Sequence, residues 1–215
     1  MNQYYQEVNL PKVFVDAKSS EILYEIKRSK TNRPYVCLLT EFRDLLNPEL
    51  IYAFKELKVD PYALITFGHE HNINFKRELY VHTDVIKRND QWLKVPFAIN
   101  WEVTDTSAEF KWYDTSGYEE FYPPNISTDA GYLLGNGIHY GRRYIPGTPY
   151  VSFPFTSIES YTFKPNSAVI LNTSKPHSVI YEGLESRLNV SLRFRKISSW
   201  NDALQQFGAI LHNEI

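Results

Sequence analysis

The chain of 215 residues holds a single cysteine, Cys37, so it has no internal disulfide to stabilise it. That excludes a disulfide scaffold and fits a reducing compartment, so the expected location is cytoplasmic. No apolar run reaches the length of a membrane-spanning helix, and the polar opening Met1–Gln6 has none of the features of a secretory signal. A strong excess of acidic or basic residues is missing too. The formal net charge is −2, and the one short basic patch, Lys27-Arg28-Ser29-Lys30, reads as a solvated turn. Nothing therefore marks an electrostatic footprint for nucleic acid. No internal repeat or low-complexity linker divides the chain.

What is present is a full complement of core-forming residues. Hydrophobic residues make up 43% of the chain, sufficient for one domain with a sizeable core. Tyrosine (16) and phenylalanine (13) are abundant, which favours β-structure over a helical bundle. Asn47-Pro48-Glu49 opens a helix, with a capping Asn, a proline at the first helical position and an acid in the first turn. Leu50, Ile51, Phe54 and Leu57 follow on one stripe until Asp60-Pro61 ends it. The segment Ser20–Lys27 reads equally as helix or strand.

From Pro61 onward the pattern turns to strands, expected over 62–67, 79–86, 97–103, 109–113, 167–172, 177–181 and 188–194. The Gly-, Pro- and Tyr-rich stretch from Thr115 to Pro154 is long for a loop and is expected to contain a hairpin or a site-covering lid. Ser199-Trp200-Asn201-Asp202 resembles a capping box and opens a C-terminal helix. The expected architecture is mainly β: a jelly-roll barrel (double-stranded β-helix) with flanking helices at both termini. Residues 1–61 form its N-terminal α/β flank, 62–197 its core and 198–215 the C-terminal helix, in one compact unit.

The chemistry points to three residues and an arginine. In His82-Thr83-Asp84 the spacing of two keeps both potential ligands on one side of a strand. His177 follows at a distance, and Arg187 comes ten residues after it. Two histidines and one carboxylate can occupy one face of a divalent iron and leave adjacent positions open. An arginine beyond the third ligand can grip the far carboxylate of a bidentate organic acid. Taken singly, His82 and Asp84 could be an ordinary hydrogen-bonded pair on a surface strand, His177 a turn residue and Arg187 a surface cation. Their joint order and spacing favour the metal.

The last strand alternates strictly. Arg187, Asn189, Ser191 and Arg193 make a polar row; Leu188, Val190, Leu192 and Phe194 make an apolar one. The polar row faces either solvent or a barrel lumen, and its place just after His177 favours the lumen. Six residues of strand put Arg193 about 20 Å from Arg187. Arg193 is accordingly expected at the far end of the barrel, in a surface ion pair.

His-x-Asp, a distal His and an Arg ten residues later resemble the iron(II)- and 2-oxoglutarate-dependent oxygenase superfamily. Phe97-Ala98-Ile99-Asn100-Trp101, Lys111-Trp112-Tyr113, Pro176-His177-Ser178-Val179 and Ser186-Arg187-Leu188-Asn189-Val190-Ser191 add to it. The layout is similar to phage and bacterial oxygenase-like proteins, and more distantly to aspartyl/asparaginyl and prolyl hydroxylases, over roughly residues 62 to 194. The resemblance implies that His82, Asp84 and His177 bind Fe(II), and that Arg187 pairs with the C5 carboxylate of 2-oxoglutarate. Asn100, Tyr113 and Ser191 become candidate hydrogen-bonding partners of the cosubstrate or the ligands. It further implies O2 as oxidant, with release of succinate and CO2. An acid at position 84, where related halogenases carry a small residue, points to hydroxylation or another oxidation.

Two other classes stay open: a non-catalytic jelly-roll binding or assembly protein, and a metal-dependent cupin that does not use 2-oxoglutarate. His69 and His71 form a cupin-like His-x-His pair without a third ligand at suitable spacing and read as a solvated loop. His139 is placed to approach the site, and His212 to be exposed. The expected partner is a small-molecule or peptide substrate, with no membrane or nucleic-acid partner.

Overall fold

A computed structural model describes residues 2–15, 35–37, 46–69, 81–88, 91–104, 108–121, 138–141, 155–180, 187–194 and 196–208. Segment 20–27, His71 and His212 lie outside these residues, as do most of 115–154 and the side chains of Cys37, His69, His139 and Arg187.

Two six-stranded antiparallel sheets make up most of the described chain. The first runs β1 (Tyr5–Val8), β12 (Ala168–Leu171), β7 (Ala98–Glu102), β14 (Arg187–Phe194), β3 (Pro61–His69) and β2 (Tyr35–Cys37). The second runs β11 (Thr156–Thr162), β8 (Glu109–Asp114), β13 (His177–Ile180), β4 (His82–Thr83), β10 (Ile138–Gly141) and β9 (Glu119–Phe121). A separate hairpin pairs β5 (Val85–Arg88) with β6 (Gln91–Lys94). The architecture is mainly β and compatible with a jelly roll. Among the described residues no helix is long and apolar enough to cross a membrane.

The alternation along β14 sorts the two faces of the first sheet. Leu188, Val190, Leu192 and Phe194 join Ile99, Trp101 and Ile170 in an apolar layer. Helix α1 (Pro48–Glu56) covers it with Leu50 and Phe54, and α2 (Trp200–Gly208) with Ala203 and Phe207. Phe194 sits at the junction, its ring 5.6 Å from Phe54 and 5.4 Å from Phe207. Both helix starts are capped as their sequences suggest. The Asn47 side chain accepts from the Glu49 N–H at 3.0 Å, and the Asp202 N–H donates to Ser199 Oγ at 3.1 Å.

The opposite face of this sheet turns toward the second one. There Val169 and Leu171 meet Phe110, Trp112 and Phe163 in an apolar half of the interior. Asn100, Glu102, Asn189, Ser191 and Arg193 are buried in a polar half. Asn189, Ser191 and Arg193 of the polar row therefore face inward, and Arg193 is not a surface cation at the far end: it is buried against Asp84.

Several strands depart from the sequence pattern. The expected strand over 79–86 is broken, because Asp84 stands between β4 and β5 and belongs to neither. The first 61 residues also contribute strands to the sheet, β1 along β12 and β2 along β3. Within the long glycine-rich stretch, β9 and β10 pair antiparallel.

Candidate metal centre

Strand pairing brings the two histidines together. His177 at the start of β13 pairs in register with His82 on one side and Trp112 on the other. Residues paired across strands project to the same face, so both imidazoles enter the space between the sheets. Their ring centroids are 4.5 Å apart. Phe110 stacks on the other side of His177, also at 4.5 Å with 22° between planes, leaving that ring little room to rotate.

Asp84 completes the cluster with its carboxylate divided between two tasks. Oδ1 lies 3.6 Å from His82 Nε2 and 3.7 Å from His177 Nε2. Oδ2 accepts a hydrogen bond from the Arg193 guanidinium. One ligand atom from each of His82, Asp84 and His177 lies within 4.8 Å of the others, the only such group of three among the described residues. Exposure is uneven: His177 is 3% exposed, whereas His82 and Asp84 are 15% and 14% exposed, so the approach from outside lies on their side.

The donor set suits a divalent transition metal. His177 Nδ1 is 2.8 Å from the Lys175 carbonyl oxygen, which only an N–H can satisfy. That bond fixes the tautomer and leaves the Nε2 lone pair facing the cluster. Burial, then the neighbouring His82, pushes the His177 pKa down to about 3, against the opposing pull of Asp84 and the Lys175 carbonyl. The ring is therefore neutral at physiological pH, as a metal ligand must be. For Asp84, burial works toward a raised pKa, but the Arg193 charge and the His82 hydrogen bond outweigh it. The carboxyl stays well below the usual carboxylate range. An ionised oxygen and an imidazole lone pair converge, and the borderline chemistry of N and O donors fits Fe(II).

A chain of buried hydrogen bonds runs from this cluster along the polar interior. Arg193 also donates to Ser191 Oγ, which donates to Asn100 Oδ1 at 2.7 Å. Asn100 Nδ2 donates to Asn189 Oδ1 at 3.4 Å, and Asn189 Nδ2 to Glu102 Oε2 at 3.3 Å. Thr104 Oγ1 donates to Glu102 Oε1 at 2.9 Å. Asn100 and Ser191 are thus joined to Asp84 through Arg193.

Tyr113 is not part of this group. It follows Trp112 on β8 and so points to the opposite face from His177, where its hydroxyl accepts from Ser178 Oγ at 3.0 Å. A cleft of about 370 Å³ on that side, lined in part by Tyr4, Tyr113, Asp114, Ile158 and Lys175, includes none of the three candidate ligands. Arg187 opens β14 opposite His69, and His139 pairs in register with His82; only their backbones are described.

Several contributors carry no sequence signal of their own. The Lys175 carbonyl is backbone, and Phe110 is one aromatic among many; only its place on the strand beside β13 singles it out. Arg193 was visible in the polar row, but its partner Asp84 lies 109 residues away.

No protein-family profile matches the chain, and no curated protein sequence does. Solved structures with a similar layout include HygX from Streptomyces hygroscopicus. Its apo form gives a TM-score of 0.44 at 13% identity, covering 92% of this chain and 85% of that one. The form with nickel and 2-oxoglutarate bound gives 0.42 at 11% identity with the same coverage. The Escherichia coli ribosomal oxygenase YcfD gives 0.30 at 16% identity over 78% of this chain and 34% of that one.

Proposed function

We propose that this protein is an Fe(II)- and 2-oxoglutarate-dependent dioxygenase that hydroxylates a small-molecule or peptide substrate. The observation that carries the reading is the convergence of His82 Nε2, Asp84 Oδ1 and His177 Nε2 on one point inside a two-sheet β fold. Bound iron would supply O2 activation coupled to oxidative decarboxylation of 2-oxoglutarate to succinate and CO2.

The chain's own residues have distinct parts in this reading. His82, Asp84 and His177 would hold the ion. Arg193 fixes the outer oxygen of Asp84 and balances its charge, so Oδ1 is the carboxylate oxygen that would be left for a metal. Phe110, Trp112, Val169 and Leu171 keep water from the buried side of the site. Arg187 is the proposed anchor for the C5 carboxylate of 2-oxoglutarate, with Asn100 and Ser191 as polar neighbours of the cosubstrate.

The test is a titration of the purified protein with Mn(II) followed by 2-oxoglutarate, with succinate release then measured under Fe(II) and ascorbate. Tight metal binding, metal-dependent 2-oxoglutarate binding that Arg187→Ala removes, and slow succinate formation are expected. A correctly folded protein that binds neither metal nor 2-oxoglutarate would overturn the reading. Metal binding without 2-oxoglutarate binding would instead favour a cupin-type metalloenzyme.

A further inference from the structure

The turn from Asn172 to Pro176, between β12 and β13, reaches two of the three candidate ligands. Its Lys175 carbonyl fixes the tautomer of His177. Its Thr173 engages the segment that carries Asp84. Because Asp84 lies outside the sheet ladder, its backbone is held by two other bonds. Its N–H donates to the Thr173 carbonyl at 3.0 Å, and its carbonyl accepts from the Val95 N–H at 2.9 Å. The Thr173 hydroxyl closes the triangle by donating to the Val95 carbonyl at 3.0 Å.

From this closed three-segment contact we infer that Thr173 is a positioning residue for the metal centre. Its hydroxyl clasps Val95, and the clasp sets Asp84 at the distance from His177 that a shared ion requires. The inference rests on the metal-site reading above. Two features give it force. First, β4 is only two residues long, so the strand alone holds Asp84 weakly. Second, Thr173 is 1% exposed, so water cannot replace the lost donor and the buried Val95 carbonyl would be left unsatisfied. Groups that orient metal ligands from outside the coordination sphere typically change affinity by 10- to 100-fold when removed.

The experiment is a Co(II) titration of the full-length protein, following the metal's visible absorption bands. Thr173→Val keeps the shape and removes the hydroxyl; it should weaken Co(II) binding about tenfold or more and alter the band pattern. Thr173→Ser should restore both. Phe207→Leu, in the helix-side core, should lower stability and leave Co(II) affinity unchanged. Should Thr173→Val fail to give the wild-type near-ultraviolet circular dichroism, Thr173→Ala is read in its place.

Wild-type affinity and spectrum in the folded variant lacking the hydroxyl would overturn the positioning role while leaving the metal site standing. Equal weakening by Phe207→Leu, or no rescue by serine, would do the same. A wild-type protein that binds no Co(II) would remove the metal site and the positioning role together.

Discussion

The Arg193 guanidinium bridges Asp84 Oδ2 and Ser191 Oγ, linking the candidate ligand carboxylate between β4 and β5 to a polar ladder on the first sheet. Both partners of the ion pair are largely buried, with side chains 10% and 14% exposed. Charges in such a place are costly unless paired, so the bond does more than an exposed ion pair could. It keeps Asp84 ionised without metal and turns one oxygen away from the imidazoles.

Removing the cation should therefore be expensive in a metal-dependent way. Arg193→Met leaves the Asp84 carboxylate buried without its main counter-charge, and the metal-free protein is expected to lose about 3–5 kcal/mol. A bound divalent cation supplies positive charge on the other oxygen, so saturating Mn(II) should recover part of that loss. Arg193→Lys keeps the charge but not the planar fork that reaches Ser191 and Asp84 together, and should fall between. Urea denaturation with and without Mn(II) measures all of this. A loss indifferent to metal would show that Arg193 acts only in packing.

How much of this could be read from the chain depends on where the information resides. The alternation of β14 was legible because a strand between a helix layer and a polar interior must repeat every two residues. The capped starts of α1 and α2 were legible because capping is local. β11 was not: in Thr156–Thr162 only Tyr161 is buried, so a sheet-edge strand leaves almost no apolar signature. The break at Asp84 was hidden because its backbone partners, Thr173 and Val95, come from other parts of the chain. The misplacement of Arg193 has the same origin. Its spacing along β14 was right, but which residue of the opposite sheet faces it is a property of the fold and not of any local pattern.

Acid should destabilise the metal-free protein earlier than carboxylates alone would. His177 is held at about 3, against an ordinary value of 6.5, so the folded state resists the proton that the unfolded chain accepts. The unfolded state then binds more protons, and its contribution to stability, complete above pH 6.5, is lost progressively as pH falls toward 3. The slope is at most about 1.4 kcal/mol per pH unit. Asp84 is also held below its ordinary 3.8, so it adds a second loss only below about pH 4. Denaturant midpoints in EDTA from pH 7.5 to 4 test this. His177→Gln should flatten the upper part of the curve, and an unchanged slope in that variant would refute the assignment.

Phe110 should matter to both stability and metal binding. Its ring stacks on His177 and packs 4.7 Å from Trp112, inside the apolar half of the interior. Phe110→Ala is expected to cost about 3–5 kcal/mol through lost burial and the cavity left behind. Phe110→Leu retains much of the volume but not the flat face against the imidazole. It should fold and bind Mn(II) several-fold more weakly, because His177 must be re-ordered on binding. Wild-type affinity in Phe110→Leu would mean that the Lys175 carbonyl alone sets the ring.

Metal should stabilise the protein only while all three ligands are present. A ligand that binds the native state alone adds RT ln(1 + [L]/Kd), about 2.7 kcal/mol at a hundred times Kd. Thermal midpoints should therefore rise with Mn(II) and return with EDTA. His82→Ala, Asp84→Ala and His177→Ala should each abolish the rise, for different reasons. His177→Ala removes the most buried donor, and His82→Ala the one on the approach side. Asp84→Ala removes the only anionic donor and leaves the Arg193 charge without its carboxylate beside the two imidazoles, so the site would repel a cation. That asymmetry makes Asp84→Ala the most informative variant. If it kept a full Mn(II) shift, the ion would be bound elsewhere on the molecule, and the His82–Asp84–His177 cluster would be no more than a buried hydrogen-bonded network.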